Sequence, residues 1–252
     1  MVRQERFATL PALARMLDVS ESTVRRDIGQ LEKSGDVRRI HGGVLYSGKS
    51  PKLPHFDQAQ STQWEAKRAI ARLAATLIED GEAVLFDGGS TTYEVARLLV
   101  GRPLHVVTTS LPVANLFAAD PASDLVMVGG NICPRSGVAQ GPYADRMLGA
   151  LRVRKTVFSV AGIDDEGFFN NNLLLVETEK AMMRAADEVI VVADSTKFGR
   201  RSLTHVCRLG DIHRLVVDEG ISDAWRAKIE AAGVRLLVAR LGAPPECPED
   251  GR

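Results

Sequence analysis

Residues 20–43 read SESTVRRDIGQLEKSGDVRRIHGG, the pattern of a short amphipathic helix followed by a turn. Apolar and polar side chains separate when the first half of this segment is placed on a helical wheel of about 100° per residue. Ser20 is a suitable N-cap and Gly35 a suitable C-cap, so the sequence predicts where this helix begins and ends. The apolar face holds Val24, Ile28 and Leu31, and the polar face holds Ser22, Arg25, Arg26, Gly29 and Lys33.

A second short helix is predicted just before the first. It ends at the turn Asp18-Val19-Ser20, directly before the basic helix. Two short helices joined by a tight turn, the second of them basic on its outer face, are typical of a helix-turn-helix. The apolar stripe of the preceding helix consists of Leu10, Leu13, Ala14 and Leu17.

A small β wing is predicted after Gly35. Residues 36–46 alternate between polar and apolar types and include Arg38 and Arg39. A basic helix beside a basic wing favours contact with nucleic-acid phosphates, so we predict that residues 1–48 bind DNA. The alternative is that the arginines of the helix only form the solvent-exposed polar face of an ordinary amphipathic helix.

This segment resembles the N-terminal winged helix of the DeoR family of bacterial sugar-responsive repressors. The family signature is Val-Ser-x-x-Thr-Val/Ile-Arg-Arg-Asp-Ile/Leu followed by Arg-x-His-Gly-Gly, and both parts occur here, at 19–28 and 39–43. The resemblance implies that side chains of the second helix enter the major groove and that the wing contacts the DNA backbone or the minor groove. The DNA-binding residues it implies are Ser22, Thr23, Arg25, Arg26, Arg38, Arg39 and His41.

The chain departs from the family at its start. Members carry a further helix of about three turns before the first helix described above, whereas only Met1–Arg6 precede Phe7 in this sequence. We therefore expect the first helix of the domain to be missing or truncated. A helix pair without it would expose Leu13, Leu17, Val24 and Ile28.

Charge is unevenly distributed in this chain of 252 residues with zero net charge. Residues 1–52, which we call the head, hold 10 Lys and Arg against 6 Asp and Glu, and the remainder of the chain is correspondingly acidic. This distribution fits phosphate contacts that are confined to the head. The three cysteines have no metal-ligand spacing, so we expect a reducing cytoplasm, no metal and no cofactor. No signal peptide and no apolar run of about 18 residues is evident, which argues against secretion and membrane spanning.

The remaining chain predicts a second, larger domain. A polar linker over 49–64 leads into residues 65–240, where apolar runs alternate with helical patterns, and 241–252 form a proline-containing tail. Alternation of β and α segments with continuous apolar strands is typical of a mostly parallel sheet covered on both faces. The fold class is therefore α/β, a small winged helix-turn-helix followed by this larger domain. The predicted strands are 83–86, 104–107, 125–128, 156–160, 189–193, 215–217 and 235–238.

The predicted strands end in small, polar or charged residues, and ligands of open parallel sheets bind beyond those ends. The most informative end is 87–92, Asp-Gly-Gly-Ser-Thr-Thr, which runs into a helix. Free N–H groups at a helix N-terminus, together with hydroxyls, can bind a phosphate, and Lys197 could supply a positive charge. The alternatives are an ordinary capped turn and a surface lysine. Asp164 and Asp165 could accept hydrogen bonds from sugar hydroxyls or merely form a turn.

This half also resembles the DeoR family, over about 65–238. The family's sensor domain is similar to ribose-5-phosphate isomerase and glucosamine-6-phosphate deaminase, and members recognise phosphorylated sugars or related metabolites. The matching motifs include 87–92, 129–130, 141–142, 162–164 and 193–199, whereas Thr109 stands where the family usually has Asn. The effector-binding residues this predicts are Asp87, Gly89, Ser90, Thr91, Thr92, Thr108, Ser110, Gly130, Gly141, Asp164, Glu177 and Lys197.

Two local alternatives stay open. Asn170, Asn171 and Asn172 could line the pocket or form an exposed loop, and Glu177 with Lys180 could be a surface pair on one helix face.

The leading hypothesis is a cytoplasmic repressor of a carbohydrate-utilisation operon, acting as a dimer or higher homo-oligomer on a double-stranded operator and released by a phosphorylated sugar. One alternative is an aldose–ketose isomerase that uses Asp164, Asp165, Glu177 or Lys197 as acid and base. Another is a metabolite-binding module that has lost DNA binding. We assign no catalytic residue.

Overall fold

The structure is a computed structural model that describes residues 7–33, 37–40, 43–46, 59 and 62–242. The chain divides into two compact units, 1–52 and 53–252. Within the described residues, no helix combines the length and the apolar character needed to cross a membrane.

The first unit contains two helices and a small antiparallel sheet. Its strand order is β1-β3-β2, so the residues before the first helix add a strand to the predicted wing. Its elements are β1 (Phe7–Thr9), α1 (Leu10–Leu17), α2 (Glu21–Lys33), β2 (Val37–Ile40) and β3 (Gly43–Tyr46).

Leu13, Val24 and Ile28 form the core of this first unit. Each is at most 5% exposed, and Leu10 and Ala14 pack against them. The expectation that these three side chains are exposed is therefore wrong, because the two helices bury them against each other. Leu17, by contrast, is exposed, and so is Leu31, which the helical wheel placed on the apolar face. The expected truncation concerns Met1–Arg6, which lie outside the described residues.

The second unit is built around one sheet of seven parallel strands in the order β15-β14-β12-β9-β4-β5-β6. Its elements are α3 (Trp64–Ala75), β4 (Ala83–Phe86), α4 (Ser90–Leu99), β5 (His105–Thr108), α5 (Leu111–Phe117), β6 (Asp124–Met127), β7 (Asn131–Cys133), β8 (Val138–Gln140), α6 (Pro142–Gly149), β9 (Val153–Phe158), β10 (Gly162–Asp164), β11 (Gly167–Asn170), α7 (Leu173–Ala185), β12 (Ala186–Val192), β13 (Thr204–Cys207), β14 (Arg214–Asp218), α8 (Asp223–Ala231) and β15 (Arg235–Ala239).

Helices cover both faces of the large sheet. Val84 and Phe86 pack with α3, α4 and α5 on one face, whereas Leu85 packs with α6 and α7 on the other. Strands buried on both faces need continuous apolar runs, which is the pattern that the sequence contains. The prediction of a winged helix-turn-helix followed by a mostly parallel α/β domain is confirmed.

Two small sheets were not predicted from the sequence. The hairpin β7–β8 follows β6, and the antiparallel sheet β10-β11-β13 uses segments that follow β9 and β12. All of them continue from the carboxyl ends of parallel strands. They therefore add to the edge of the large sheet where ligands of this fold class bind.

The strand order reverses between β4 and β9. From β4 the chain proceeds to β5 and β6 on one side, and from β9 it proceeds to β12, β14 and β15 on the other. The connections that leave β4 and β9 therefore diverge, which opens a crevice beyond the carboxyl ends of these two strands.

A buried ion pair joins β9 to the start of β4. The Lys155 ammonium lies 2.5 and 2.6 Å from the two carboxylate oxygens of Glu82, and both side chains are largely buried. The neighbouring Arg154 pairs with Asp187 at 3.4 Å, and both of those side chains are mostly exposed.

We predict that Lys155→Met lowers the free energy of unfolding by about 3 kcal/mol, because it leaves Glu82 with an uncompensated buried charge. The matched control Arg154→Met should cost about 0.5 kcal/mol or less, since an exposed pair contributes little. Urea-induced unfolding measures both values. Equal losses in the two variants would mean that Glu82 is not left with a costly unpaired charge.

Candidate functional site

A cavity of about 430 Å³ lies beyond the carboxyl ends of β4, β9 and β12. Residues that follow these strands line it, together with the β7–β8 hairpin, the start of α7 and the chain just before α3. Its position is the crevice at which the strand order reverses, where open parallel sheets bind their ligands.

Asp87 holds the floor of this cavity together. Its Oδ1 accepts a hydrogen bond from the Gly89 N–H at 3.0 Å, and its Oδ2 accepts one from the Ser159 N–H at 3.1 Å. Burial raises the pKa of Asp87, and the hydrogen bonds that the carboxylate accepts oppose that shift. One side chain thus joins the loop after β4 to the end of β9.

Gly88 and Gly89 are needed for space. A Cβ at position 88 would lie 2.0 Å from Val138 Cγ2, and one at position 89 would lie 1.6 Å from Ser159 Oγ. Gly89 has an ordinary φ of −74°, so its turn does not require glycine. The close approach of β8 and of the residue after β9 excludes any side chain here.

Helix α4 begins at this loop and presents its N-terminus to the cavity. Ser90 and Thr91 line the cavity, and the first intrahelical hydrogen bond runs from the Tyr93 N–H to the Gly89 carbonyl. The N–H groups of the first turn precede that bond, and Gly89 has no side chain that could cap them. The arrangement favours an anion, because the helix dipole adds partial positive charge at the same place.

Two lysines bring positive charge to the cavity. Lys197 lies in the short 3₁₀ turn Ser195–Lys197 that follows β12, and Lys67 lies in α3. Lys67 is 5% exposed and donates to the Ala59 carbonyl. Burial lowers the pKa of Lys67, the negative charge of Asp194 opposes that shift, and the Lys197 ammonium adds to it.

Glu179, on α7, lines the same cavity and is 1% exposed. Its Oε1 accepts a hydrogen bond from Asn170 Nδ2 at 2.6 Å, and Asn170 Oδ1 accepts one from the Ala161 N–H at 2.8 Å. Burial raises the pKa of Glu179 well above its ordinary value; the bond from Asn170 opposes the shift, and the charge of Asp87 adds to it.

The structure brings part of the predicted effector set together in this cavity. Thr92, fully buried in α4, is not among the lining residues. The lining members of the set are Asp87, Gly89, Ser90, Thr91 and Lys197.

Four further members of the set are not among the lining residues and instead shape loops of the domain. Thr108 Oγ1 donates to the Phe86 carbonyl, and Ser110 Oγ caps α5 by accepting the Val113 N–H. Gly130 and Gly141 have φ of 157° and 89°, in the region that favours glycine. These four residues therefore help to position the strand ends.

The predicted acids Asp164 and Glu177 are not among the residues that line the cavity. Arg201 Nε approaches Asp164 Oδ2 to 2.6 Å, and Lys180 Nζ approaches Glu177 Oε1 to 3.0 Å. Asp165 pairs in the same way with a lysine of α8. Each carboxylate is therefore engaged by a cation on the outside of the domain, and the surface-pair alternative describes Glu177.

Sequence reasoning missed Lys67 and Glu179, although a pattern could have revealed both. Each is a charged residue on the buried stripe of its helix. Lys67 precedes the buried Ile70 by three positions, and Glu179 lies midway between the buried Val176 and Met182. A charge at such a position needs a partner or a ligand, because burial of an unpaired charge is costly.

The asparagine run is divided between two roles. Asn170 and Asn171 line the cavity, whereas Asn172 caps α7 by accepting the Leu175 N–H at 3.2 Å. Thr109, at which the sequence departs from the family pattern, is fully buried and is not a lining residue.

The head presents part of the predicted DNA-binding set on α2. Ser20 Oγ accepts the Thr23 N–H at 3.2 Å and therefore caps α2, and it also lies 2.7 Å from Ser22 Oγ. Arg25 lies 3.5 Å from Glu21 one turn before it, and the Arg26 side chain is 76% exposed. Of the wing residues, Arg38 and Arg39 belong to β2, and His41 lies outside the described residues, as does Gly35.

Comparison with known proteins identifies both units. Residues 1–49 match the DeoR-like helix-turn-helix domain, and residues 62–219 match the DeoR C terminal sensor domain. The "Uncharacterized HTH-type transcriptional regulator YulB" of Bacillus subtilis is 30% identical over 91% of this chain and 89% of its own length. The "HTH-type transcriptional repressor CsqR" of Escherichia coli is 29% identical over 94% of this chain and 92% of its own length.

Among solved structures, ribose 5-phosphate isomerase A of Methanocaldococcus jannaschii aligns with 52% of this chain and 53% of its own chain, at 18% identity and a TM-score of 0.38. The family matches cover the helix-turn-helix and six of the seven strands of the large sheet, and the relatives match along nearly their whole length. The chain therefore belongs to the DeoR family of HTH-type transcriptional regulators.

Proposed function

We propose that this protein represses a carbohydrate-utilisation operon and leaves its operator when a phosphorylated sugar binds in the cavity. The observation that carries the proposal is the meeting, in one cavity, of an uncapped helix N-terminus, two lysines and hydrogen-bonding acids and amides. A volume of about 430 Å³ lies within the usual range for small-molecule sites.

The phosphate would lie at the N-terminus of α4. The first-turn N–H groups and the hydroxyls of Ser90 and Thr91 offer hydrogen bonds to its oxygens, while Lys197 and Lys67 neutralise its charge. Because Lys67 is buried and its pKa is lowered, an incoming dianion would also relieve the cost of keeping that ammonium charged.

The sugar hydroxyls would contact the polar groups on the remaining walls. Asn170, Asn171 and Asp194 line the cavity beside Glu179, and they provide both donors and acceptors. A polyhydroxylated ligand satisfies such groups better than an apolar one, since every buried polar atom needs a partner.

Release from DNA requires that the ligand favours one arrangement of the chain. The segment before α3 offers a route, because Ala59, Thr62 and Gln63 line the cavity and directly follow the stretch that leads from the head. A phosphate that draws the Lys67 ammonium from the Ala59 carbonyl would move this segment.

Operator binding would use two or more copies of the head. One recognition helix contacts few base pairs, so a homo-oligomer that places two α2 helices roughly 34 Å apart would be needed for specificity. Ligand binding would then favour an oligomer geometry with the wrong spacing.

The cavity supports binding without turnover better than isomerisation. Of the acid and base candidates Asp164, Asp165, Glu177 and Lys197, Lys197 alone lines the cavity. We propose that the protein is no enzyme; conversion of aldose phosphates to ketose phosphates by the purified chain would contradict this.

We predict that one phosphorylated sugar raises the melting temperature of the full chain, and that the matching free sugar does not. At a hundredfold excess over Kd the stabilisation should be about 2.7 kcal/mol. Lys197→Met should weaken binding at least about tenfold through loss of a charge-assisted contact. The control Lys180→Met changes a partly exposed lysine of α7 that is not a lining residue, so this variant should bind as the wild type does. Calorimetric titration gives the Kd values, and equal affinities in both variants would remove Lys197 from the site.

We predict that Arg26→Ala weakens binding to DNA from upstream of the protein's own gene and lowers the salt dependence of the binding constant by about one phosphate contact. The control is Arg15→Ala, since Arg15 lies on α1 outside the predicted set and donates to the Pro11 carbonyl. Fluorescence anisotropy over a range of salt concentrations measures both. An unchanged affinity for Arg26→Ala would show that this face of α2 does not contact DNA.

A further inference from the structure

We propose that Glu179 determines which phosphorylated sugar is accepted, by donating a hydrogen bond from its neutral carboxyl group to an oxygen acceptor on the ligand. The inference rests on the proposed function of the cavity and adds a residue that the sequence motifs do not include.

The first observation is that one oxygen of Glu179 is fixed and the other is not paired. Oε1 accepts a hydrogen bond from Asn170, which is itself held by the Ala161 N–H. Oε2 is buried and has no hydrogen-bond partner among the residues that the structure describes. Since Glu179 lines the cavity and Oε1 is directed at Asn170, Oε2 is the oxygen left for a ligand.

The second observation is the electrostatic setting. Glu179 is 1% exposed, and Asp87 adds negative charge from the end of β4. The other charged residues that line the cavity are Lys67, Asp194, Lys197 and Arg200, and Lys67 interacts electrostatically with Asp194 and Lys197. Burial and the Asp87 charge both raise the pKa of Glu179, so the group is neutral more readily than an ordinary glutamate.

A neutral carboxyl group has a single O–H donor. Because Oε1 already accepts from Asn170, the proton belongs on Oε2, and the ligand must supply an acceptor. A ligand with a hydroxyl or carbonyl oxygen at this place pairs the donor, whereas a deoxy analogue leaves this buried group unpaired. Discrimination of this kind is strong, since a buried group left without a partner is costly.

Glu177 provides a matched control on the same helix. It lies two residues away, its carboxylate is half-exposed and paired with Lys180, and it is not among the lining residues. Its substitution should therefore change neither the cavity nor its ligand.

The test uses the full chain with Glu179→Gln, Glu179→Met and Glu177→Gln. The probes are inorganic phosphate and whichever of the triose to hexose phosphates most stabilises the wild type. Because Gln also offers a donor, Glu179→Gln should bind that sugar phosphate within about threefold of the wild type. Glu179→Met should bind it at least about tenfold more weakly, while all variants bind inorganic phosphate equally.

Two binding results would overturn the proposal. Equal affinity of Glu179→Met and wild type for the sugar phosphate would mean that Glu179 does not contact the ligand. A loss in Glu179→Gln as large as in Glu179→Met would mean that the group acts as an ionised acceptor. Failure of the wild type to bind any sugar phosphate would instead refute the proposed function itself, and this inference with it.

Infrared spectroscopy of the ligand-free protein at pH 7 gives an independent readout, which also serves if Glu179→Met does not fold. The C=O band of a protonated carboxylic acid should appear in the wild type and in Glu177→Gln, and it should be absent from Glu179→Gln. A wild-type spectrum without a band that depends on Glu179 would overturn the assignment of a neutral donor.

Discussion

The cavity depends on a single carboxylate that joins two strands. Asp87 accepts hydrogen bonds from the loop that follows β4 and from the first residue after β9, at the point where the sheet changes direction. Because both oxygens are used, the loop cannot move relative to β9 without loss of a buried hydrogen bond. The start of α4, the close contacts at Gly88 and Gly89, and the crevice itself all take their positions from this link.

The cavity contains buried ionisable side chains, whose burial lowers the stability of the fold. Lys67, Asp87, Glu179 and Asp194 are each at most 5% exposed, in a domain whose other buried residues are mostly apolar. Burial lowers the pKa of Lys67 and raises the pKa of Asp87 and of Glu179. Each shift favours the neutral form of the group, because a buried charge is costly. Such a cost persists in natural proteins mainly at functional sites, where a ligand offsets it.

Much of the fold could be predicted from the sequence, because a strand buried on both faces must be a continuous apolar run. All seven strands of the large sheet overlap predicted segments, and the helix-turn-helix followed from spacing and charge. The small sheets could not be predicted, since strands such as β10 have three residues and no period to detect. In the site, Glu177 was part of the predicted effector set and Glu179 was not, because burial along the helix was not considered. Glu179 lies on the buried helical stripe that contains Val176 and Met182, whereas Glu177 does not, and this pattern distinguishes the two glutamates.

The wall formed by Ala59, Thr62 and Gln63 has a consequence for exchanging parts between relatives. These residues fall within 49–64, the stretch that composition marks as a linker, yet they belong to the cavity of the larger unit. A chimera that joins a foreign head at residue 65 would keep the whole parallel sheet and lose this wall, so its cavity would be incomplete. A junction placed before Ala59 would keep the wall together with the rest of the cavity.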